Sequence, residues 1–392
     1  MRLRDEVEGA LRAWNRLEIG RGAAAVVDFD CHPQSDDGQV ASGRLAVWRQ
    51  LTELREQAVA EGDGRLVRRV GAHLAYLEAL LGVVVPVREY IEVTQGCGAL
   101  GWDKEYVSAI GERARVALND LGIGWGPRTD EELTHTEGEL PQDEAAAAIQ
   151  EEAKNLEPLV RAASGTSADF ELSIETVDIP AYWAYWLDGS GKNVRLRINE
   201  RNARFTPVQA RQFALHEVLG HGLQCASFTH ECATADVSWV RVTSVHAQQQ
   251  VLLEGLAQAF PLFVMPDDAQ LAARVRLAHY TQLVQAELHL AVNSGRSIQD
   301  CLDHAKRRVP FWDDERIADI LTDRGADPLL RSYLWSYPAG IDWFVSLADR
   351  ADPATIAAIL QAAYREPLGP DDLAGMWADG PKPGGAAAPV KS

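Results

Sequence analysis

The hydrophobic period of this chain changes once and then changes back. From residue 1 to about 165, apolar residues recur three and four apart in LRAWNRL, RLAVWRQLTELREQAVAE and RLVRRVGAHLAYLEALLGVVVPVREYI, the pattern of helices with one buried face. QDEAAAAIQEEAKNLEPLVRAA adds a helix of strong intrinsic propensity. Near residue 168 alternation takes over. ADFELSIETVDI and, after the turn DGSGKN, VRLRIN place apolar side chains at every second position, with the aromatic run AYWAYWL between them, and predict two or three strands. Helical periodicity then returns and holds to the C-terminal part. Such a pattern predicts a mainly α protein with a small mixed β-sheet: an N-terminal helical region at 1–165, a sheet-containing region at 166–378, and a tail at 379–392, DGPKPGGAAAPVKS, without core-forming residues.

Composition removes several classes of function. The 392 residues, 46% hydrophobic and 24% charged, suffice for a sizeable core. A net charge of -19 argues against nucleic acid as a partner, because phosphate backbones are held by clustered Lys and Arg. The charged start MRLRDEVEGALRAW lacks the apolar core of a signal peptide, and no unbroken apolar run is long enough for a bilayer, so a cytoplasmic protein with no membrane partner is expected. The five cysteines contain no C-x-x-C pair, which fits free thiols in a reducing compartment.

The chemistry concentrates in RFTPVQARQFALHEVLGHGLQ. Thr206, Pro207 and Gln209 form a helix-start signature: a hydroxyl at the N-cap, proline at the first helical position and glutamine at the third. On the helix begun there, His216 and His221 stand five apart, one more than in the H-E-x-x-H zinc signature. Four residues of a regular helix turn about 400° and five about 500°, so a regular helix would point the imidazoles apart. A local i→i+5 turn between Glu217 and His221 brings them back to one side, and such turns occur preferentially at functional sites. Gly220 tolerates that distortion and the close approach of another backbone.

Catalytic zinc takes three protein ligands and leaves a position for water. Glu254 is the expected third ligand, since a lone carboxylate in the apolar run VLLEGLAQAF needs a compensating cation, and Gly255 beside it permits close helix packing. His230, Glu231 and Asp236, in the segment HECATADVSW read as irregular, are the rivals. Glu217 would reach the water, whose pKa zinc lowers to about 7, and take its proton as it attacks a carbonyl carbon. For the oxyanion donor, Tyr333 and Tyr337 share a helix face, with His246 the alternative, while Arg331 suits a substrate carboxylate. His32, His73, His279, His289 and His304 carry no spacing signal.

HEVLGH resembles the HELLGH of dipeptidyl-peptidase III, and H-E-x-x-x-H with a downstream glutamate is similar to the tubulin tyrosine carboxypeptidase group. GHGLQ, LEGLAQAF and YPAG also resemble a bacterial family of zincin-like proteins whose motif ends in P-G-H-H-L-Q. The resemblance implies a zincin-like catalytic region of the Glu-ligand type, with Zn2+ on His216, His221 and Glu254, and Glu217 as general base. A zinc metallopeptidase acting on a peptide or small amide is therefore expected, with VRLRIN lying beside the active-site helix and offering its edge to an extended substrate. Two alternatives remain. The same two-His-one-Glu set serves non-haem iron enzymes, and a catalytically inactive zincin-like binding protein could keep the motif.

Overall fold

The computed structural model describes residues 2–33, 38–180 and 184–385. Helices dominate and frame one small mixed sheet of five strands, β1 (Phe29–Asp30), β2 (Glu171–Val177), β3 (Tyr185–Ser190), β4 (Asn193–Asn199) and β5 (Val242–Thr243), in the order β2-β4-β3-β1-β5. Three strands come from the alternating run around residue 170–199, as its pattern predicts. The other two are two-residue pieces from distant segments. Of the aromatic run AYWAYWL, residues 181–183 lie outside the described residues.

The helical N-terminal layer is built as its periodicity predicts. Val7, Leu11 and Trp14 of the helix Leu3–Gly20 pack with Val47, Leu51 and Leu54 of Arg44–Glu61 and Val70, Leu74 and Leu77 of Gly64–Leu80. This layer also closes over Val240 and Val242, so β5 lies against it. Arg241 fastens the contact, since its Nη2 donates to Asp5 Oδ1 and Glu8 Oε2, each at 2.7 Å. β1 extends the N-terminal layer into the sheet, pairing parallel with β3 and antiparallel with β5.

β4 shows why the alternation is readable. Val194, Leu196 and Ile198 are buried, while Arg195 and Arg197 reach Asp188 on the neighbouring strand. Yet its expected free edge does not exist: β4 runs between β2, with which it pairs in parallel over seven residues, and β3, with which it pairs antiparallel over six. β2, at the end of the sheet, has an open edge among the described residues, and the interior strand β3 is open over part of its length. β1 covers it only at Gly189 and Ser190, leaving Tyr185 to Asp188 unpaired on that side among the described residues.

The main core gathers the C-terminal helices around this sheet: Leu196 and Ile198 meet Val218 and Leu219, Leu252 and Leu256, Ile341 and Phe344. No helix among the described residues is long and apolar enough to cross a membrane. All five cysteines are free thiols. Of the expected tail, Pro383 to Gly385 are buried, and Pro383 O accepts from the Gly98 N–H at 3.2 Å; residues 386–392 lie outside the described residues.

Candidate metal centre

The helix that carries the histidines begins as its sequence dictates. Thr206 Oγ1 accepts from Gln209 N–H at 3.1 Å and Gln209 Oε1 accepts from Thr206 N–H at 2.8 Å, closing the capping box with Pro207 at the first position. The cap is itself anchored. Thr206 donates its hydroxyl proton to the buried Glu137, which Arg274 grips through two nitrogens. The first turns, Pro207–Phe213, are α-helical and set the direction of the histidine-bearing segment.

From Ala214 to Gly222 the helix is π-helical, and it returns to α over Leu223–Thr234. The widened turn implied by the five-residue spacing is therefore present, and it spans nine residues rather than one turn. Leu223 N–H donates to Val218 O, five residues back. Tyr364 supports this segment with a hydroxyl donated to Leu219 O at 2.7 Å. Glycine is required here by contact: a Cβ on Gly220 would stand 2.7 Å from Leu215 O and 3.0 Å from Ala257 Cβ on the helix Gln250–Ala259. That second helix is pressed against a third in the same manner, since a Cβ on Gly255 would lie 2.4 Å from the Gly340 backbone of Ser336–Arg350.

These three helices bring His216, His221, Glu217, Glu254 and Tyr337 together, and Tyr333 joins them from the separate short helix Leu330–Tyr333, so the two tyrosines meet across a helix break and not on one helix face as their spacing predicts. The His216 and His221 rings meet edge to face at 89°, with their Nε2 atoms 3.2 Å apart. Glu254 Oε2 lies 3.6 Å from one and 3.7 Å from the other. It is buried and has no hydrogen-bond partner. Glu217 Oε1 is 3.7 Å from His216 Nε2, and His216, Glu217 and His221 offer ligand atoms all within 4.8 Å of one another. Two carboxylates thus compete for the third place. A tetrahedral zinc with bonds of about 2.0–2.1 Å separates its ligand atoms by about 3.3 Å. The near-equilateral triangle with Glu254 matches that spacing better, and it leaves Glu217 to one side, where it can face a water.

The electrostatics separate the two carboxylates. Burial raises Glu217 to about 7, against the opposing charge of His216 and with the help of Glu254. Burial also acts against ionisation of Glu254, but the positive charge of His221 and His216 beside it outweighs that and holds the carboxyl far below the ordinary range. Tyr333 donates to Glu254 Oε1, and Tyr337 lies 2.8 Å from the Tyr333 hydroxyl. Burial, and then the charge of Glu254, push both phenols well above their usual value, so they stay protonated donors.

Other sequence candidates lie elsewhere. Arg331 is occupied by Asn293 Oδ1 at 2.8 Å and Val85 O at 3.1 Å. His246 faces His73, Nε2 to Nδ1 at 2.8 Å, in the N-terminal layer. HECAT is helical to Thr234 rather than irregular, because Cys225 and Phe228 keep packing into the core beneath it. His230 is exposed at its far end, and Asp236 pairs with Arg2 and Arg4. His279 and His304 are paired with Asp342 and Glu287, each at 2.8 Å.

Sequence reasoning does not single out Tyr185. It sits at the start of β3 with its ring on Phe213, 4.7 Å between centroids, and the charges of Glu217 and Glu254 act on its hydroxyl. The one signal for it is the aromatic run, which gives no hint of direction. Asp28 has none. Burial raises its carboxyl well above the usual range, with Arg69 opposing and Glu254 adding to the effect.

No protein-family model matches this chain, and no curated protein matches it by sequence. Among solved structures it is similar to a protein assigned as a lipoprotein from Colwellia psychrerythraea, with TM-score 0.48 and 14% identity over 85% of this chain. It is also similar to M32 carboxypeptidase from Deinococcus radiodurans R1, with TM-score 0.36 and 16% identity over 84% of this chain. The chain spans 59% of the length of the first and 73% of the second.

Proposed function

We propose that this protein is a zinc-dependent hydrolase that cleaves a peptide or related amide bond. The observation that carries the reading is the triangle of His216 Nε2, His221 Nε2 and Glu254 Oε2, with edges of 3.2, 3.6 and 3.7 Å and an unpartnered, buried oxygen at one corner. A donor set of two imidazoles and a carboxylate at this spacing fits zinc. When bound, zinc supplies Lewis-acid polarisation and an acidified water.

The chain's own residues do the rest. Glu217 stands beside His216, off the triangle, where its Oε1 can take a proton from water and hand it to the departing amine. Tyr333 is spent on Glu254 Oε1, which turns the other oxygen toward the histidines; it is a positioning residue. Tyr337 is the donor for a developing oxyanion, its O–H being free to leave Tyr333 for a stronger acceptor. The open edge of β3 from Tyr185 to Asp188 lies against the π-helical segment and would pair with an extended substrate.

An iron enzyme would need the same three ligands but no carboxylate beside them, so the position of Glu217 favours hydrolysis. The test combines metal analysis of protein purified without added metal with digestion of a peptide library in the presence and absence of a chelator. Zinc at one equivalent and chelator-sensitive cleavage are expected; bound iron, or no cleavage of any peptide, would overturn the proposal.

A further inference from the structure

The helix Gly64–Leu80 carries RLVRR near its start, and Arg65, Arg68 and Arg69, three and four apart, share one face of it. All three line a cavity of about 510 Å³, together with Arg55 from the preceding helix Arg44–Glu61. A Cβ on Gly71 would meet Arg55 Nε at 3.7 Å, which places this fourth guanidinium against the same helix. None of His216, Glu217, His221, Glu254, Tyr333 and Tyr337 lines the cavity. Like charges four apart on a helix repel, so the cluster is costly unless an anion compensates it.

The protein supplies that anion only in part. Arg65 Nη1 donates to Glu366 Oε2 at 2.9 Å, but its Nη2 is buried without a hydrogen-bond partner, with Asp372 Oδ2 3.7 Å away. Arg68 reaches Asp371 only at 3.8 Å, beyond a hydrogen bond. Arg69 gives its two Nη atoms to the neutral acceptors Gln249 Oε1 and Val242 O, and its Nε is buried without a partner. Burial lowers it to about 10, with the charge of Asp28 opposing and that of Arg65 adding to the effect. Two guanidinium nitrogens four residues apart, on side chains that line one cavity, thus lack acceptors. Buried donors left so are uncommon and ask for a ligand or water.

A second wall is acidic. Asp371 and Asp372 open the helix Pro370–Met376, and Glu92 and Gln248 line the cavity with them. Asp372 Oδ2 already accepts from the Gly369 N–H at 2.8 Å, which fixes that wall in place. The unused donors come singly from separate guanidiniums. That suits the several oxygens of a tetrahedral phosphate better than a planar carboxylate, which takes both prongs of one fork. The cavity is also roomier than a phosphate ion needs, and its carboxylates can accept hydroxyl protons.

We propose that this cavity binds the phosphate monoester of a small polyhydroxy compound, a sugar phosphate, with the phosphate on Arg55, Arg65, Arg68 and Arg69 and the hydroxyls on Asp371 and Asp372. The site is separate from the metal centre and does not rest on the hydrolase reading.

The test is calorimetry on the protein as purified, with ribose 5-phosphate as the probe and ribose and ribonate as its uncharged and carboxylate counterparts. Ribose 5-phosphate should bind at one equivalent, about 100-fold tighter than either counterpart. Arg65→Gln and Arg68→Gln should each weaken it about tenfold, and raising salt from about 50 to about 200 mM should weaken it further. His221→Ala should leave the affinity within about threefold, whereas a phosphate held by a metal would be lost there. Arg55→Gln and Arg68→Gln alter exposed side chains and decide the matter if Arg65→Gln lowers the urea midpoint. No saturable binding up to about 5 mM overturns the proposal. So does ribonate bound as tightly as ribose 5-phosphate, or an affinity that falls in His221→Ala and not in the arginine variants.

Discussion

Two pairs of histidines face each other inside this protein, and their surroundings differ. His73 and His246 approach to 2.8 Å, fully buried, with Tyr76 stacked on His246 at 4.1 Å and Trp14 beside it. His216 and His221 approach to 3.2 Å, with part of each ring open to solvent and Glu254 Oε2 nearly equidistant from both. In the first pair, burial and then the charge of Arg69 keep the imidazoles neutral, and the rings bond each other through one nitrogen apiece, leaving His73 Nε2 and His246 Nδ1 without a partner among the described residues. The second pair has beside it an anion with an unused oxygen. Proximity of imidazoles is therefore not what marks a metal centre. What sets the second pair apart, on the proposed reading, is a carboxylate that completes the triangle and a second one beside it.

The strongest way to break this comparison is Glu217→Gln. Removing a general base while keeping shape should lower turnover by three to four orders of magnitude with zinc content unchanged, whereas His73→Gln should change turnover by less than about tenfold. Initial rates and metal analysis on the same preparations decide it. Turnover retained in Glu217→Gln would mean that Glu217 is not the general base.

Next in size is metal affinity. His221→Ala or Glu254→Gln should weaken zinc at least 1000-fold in competition with a chromophoric chelator. Tyr333→Phe, which frees Glu254 Oε1, should weaken it about 10- to 100-fold. His246→Asn should leave zinc binding at one equivalent. Equal losses in the two histidine pairs would mean that the triangle has no special standing.

The third test is mechanical, and it bears on how much is legible in the sequence. Gly255→Ala forces a Cβ to within 2.4 Å of the Gly340 backbone, which cannot swing aside as a side chain would. A loss of about 3 kcal/mol in urea unfolding is expected, with Gly220→Ala costing about the same or less. The close packing at Gly255 and the widened turn before His221 are both readable, because a spacing of five and a glycine beside a functional residue state a geometric demand. The capping box is readable for the same reason: it is local.

The features that escape are set by chain segments far apart in sequence. Phe29–Asp30 and Val242–Thr243 become strands only because β3 and each other offer partners, and two residues cannot show an alternation. The mistaken free edge of VRLRIN has the same origin, since edges depend on neighbours and not on the strand's own residues. Arg331 and His246 are plausible by composition, but their partners, Asn293, Val85 and His73, come from other segments.

The smallest expected effect concerns the N-terminal pair and acid. The folded-state pKa of both His73 and His246 lies well below the ordinary value of about 6.5, and burial is the first cause for each. Below pH 6.5 the unfolded chain takes up two protons that the folded protein refuses, so stability falls as pH drops through that value and is unaffected above it. Each imidazole contributes about 1.4 kcal/mol per pH unit once protonation of the unfolded state is complete. Urea unfolding at pH 7.5 and 5.5 should therefore show a larger loss in the wild type than in His73→Leu/His246→Leu. Carboxylates titrate alike in the two proteins and cancel in the difference. An identical pH response would mean that these imidazoles charge in place, and that the contrast between a sealed pair and a pair open to solvent and anion does not hold.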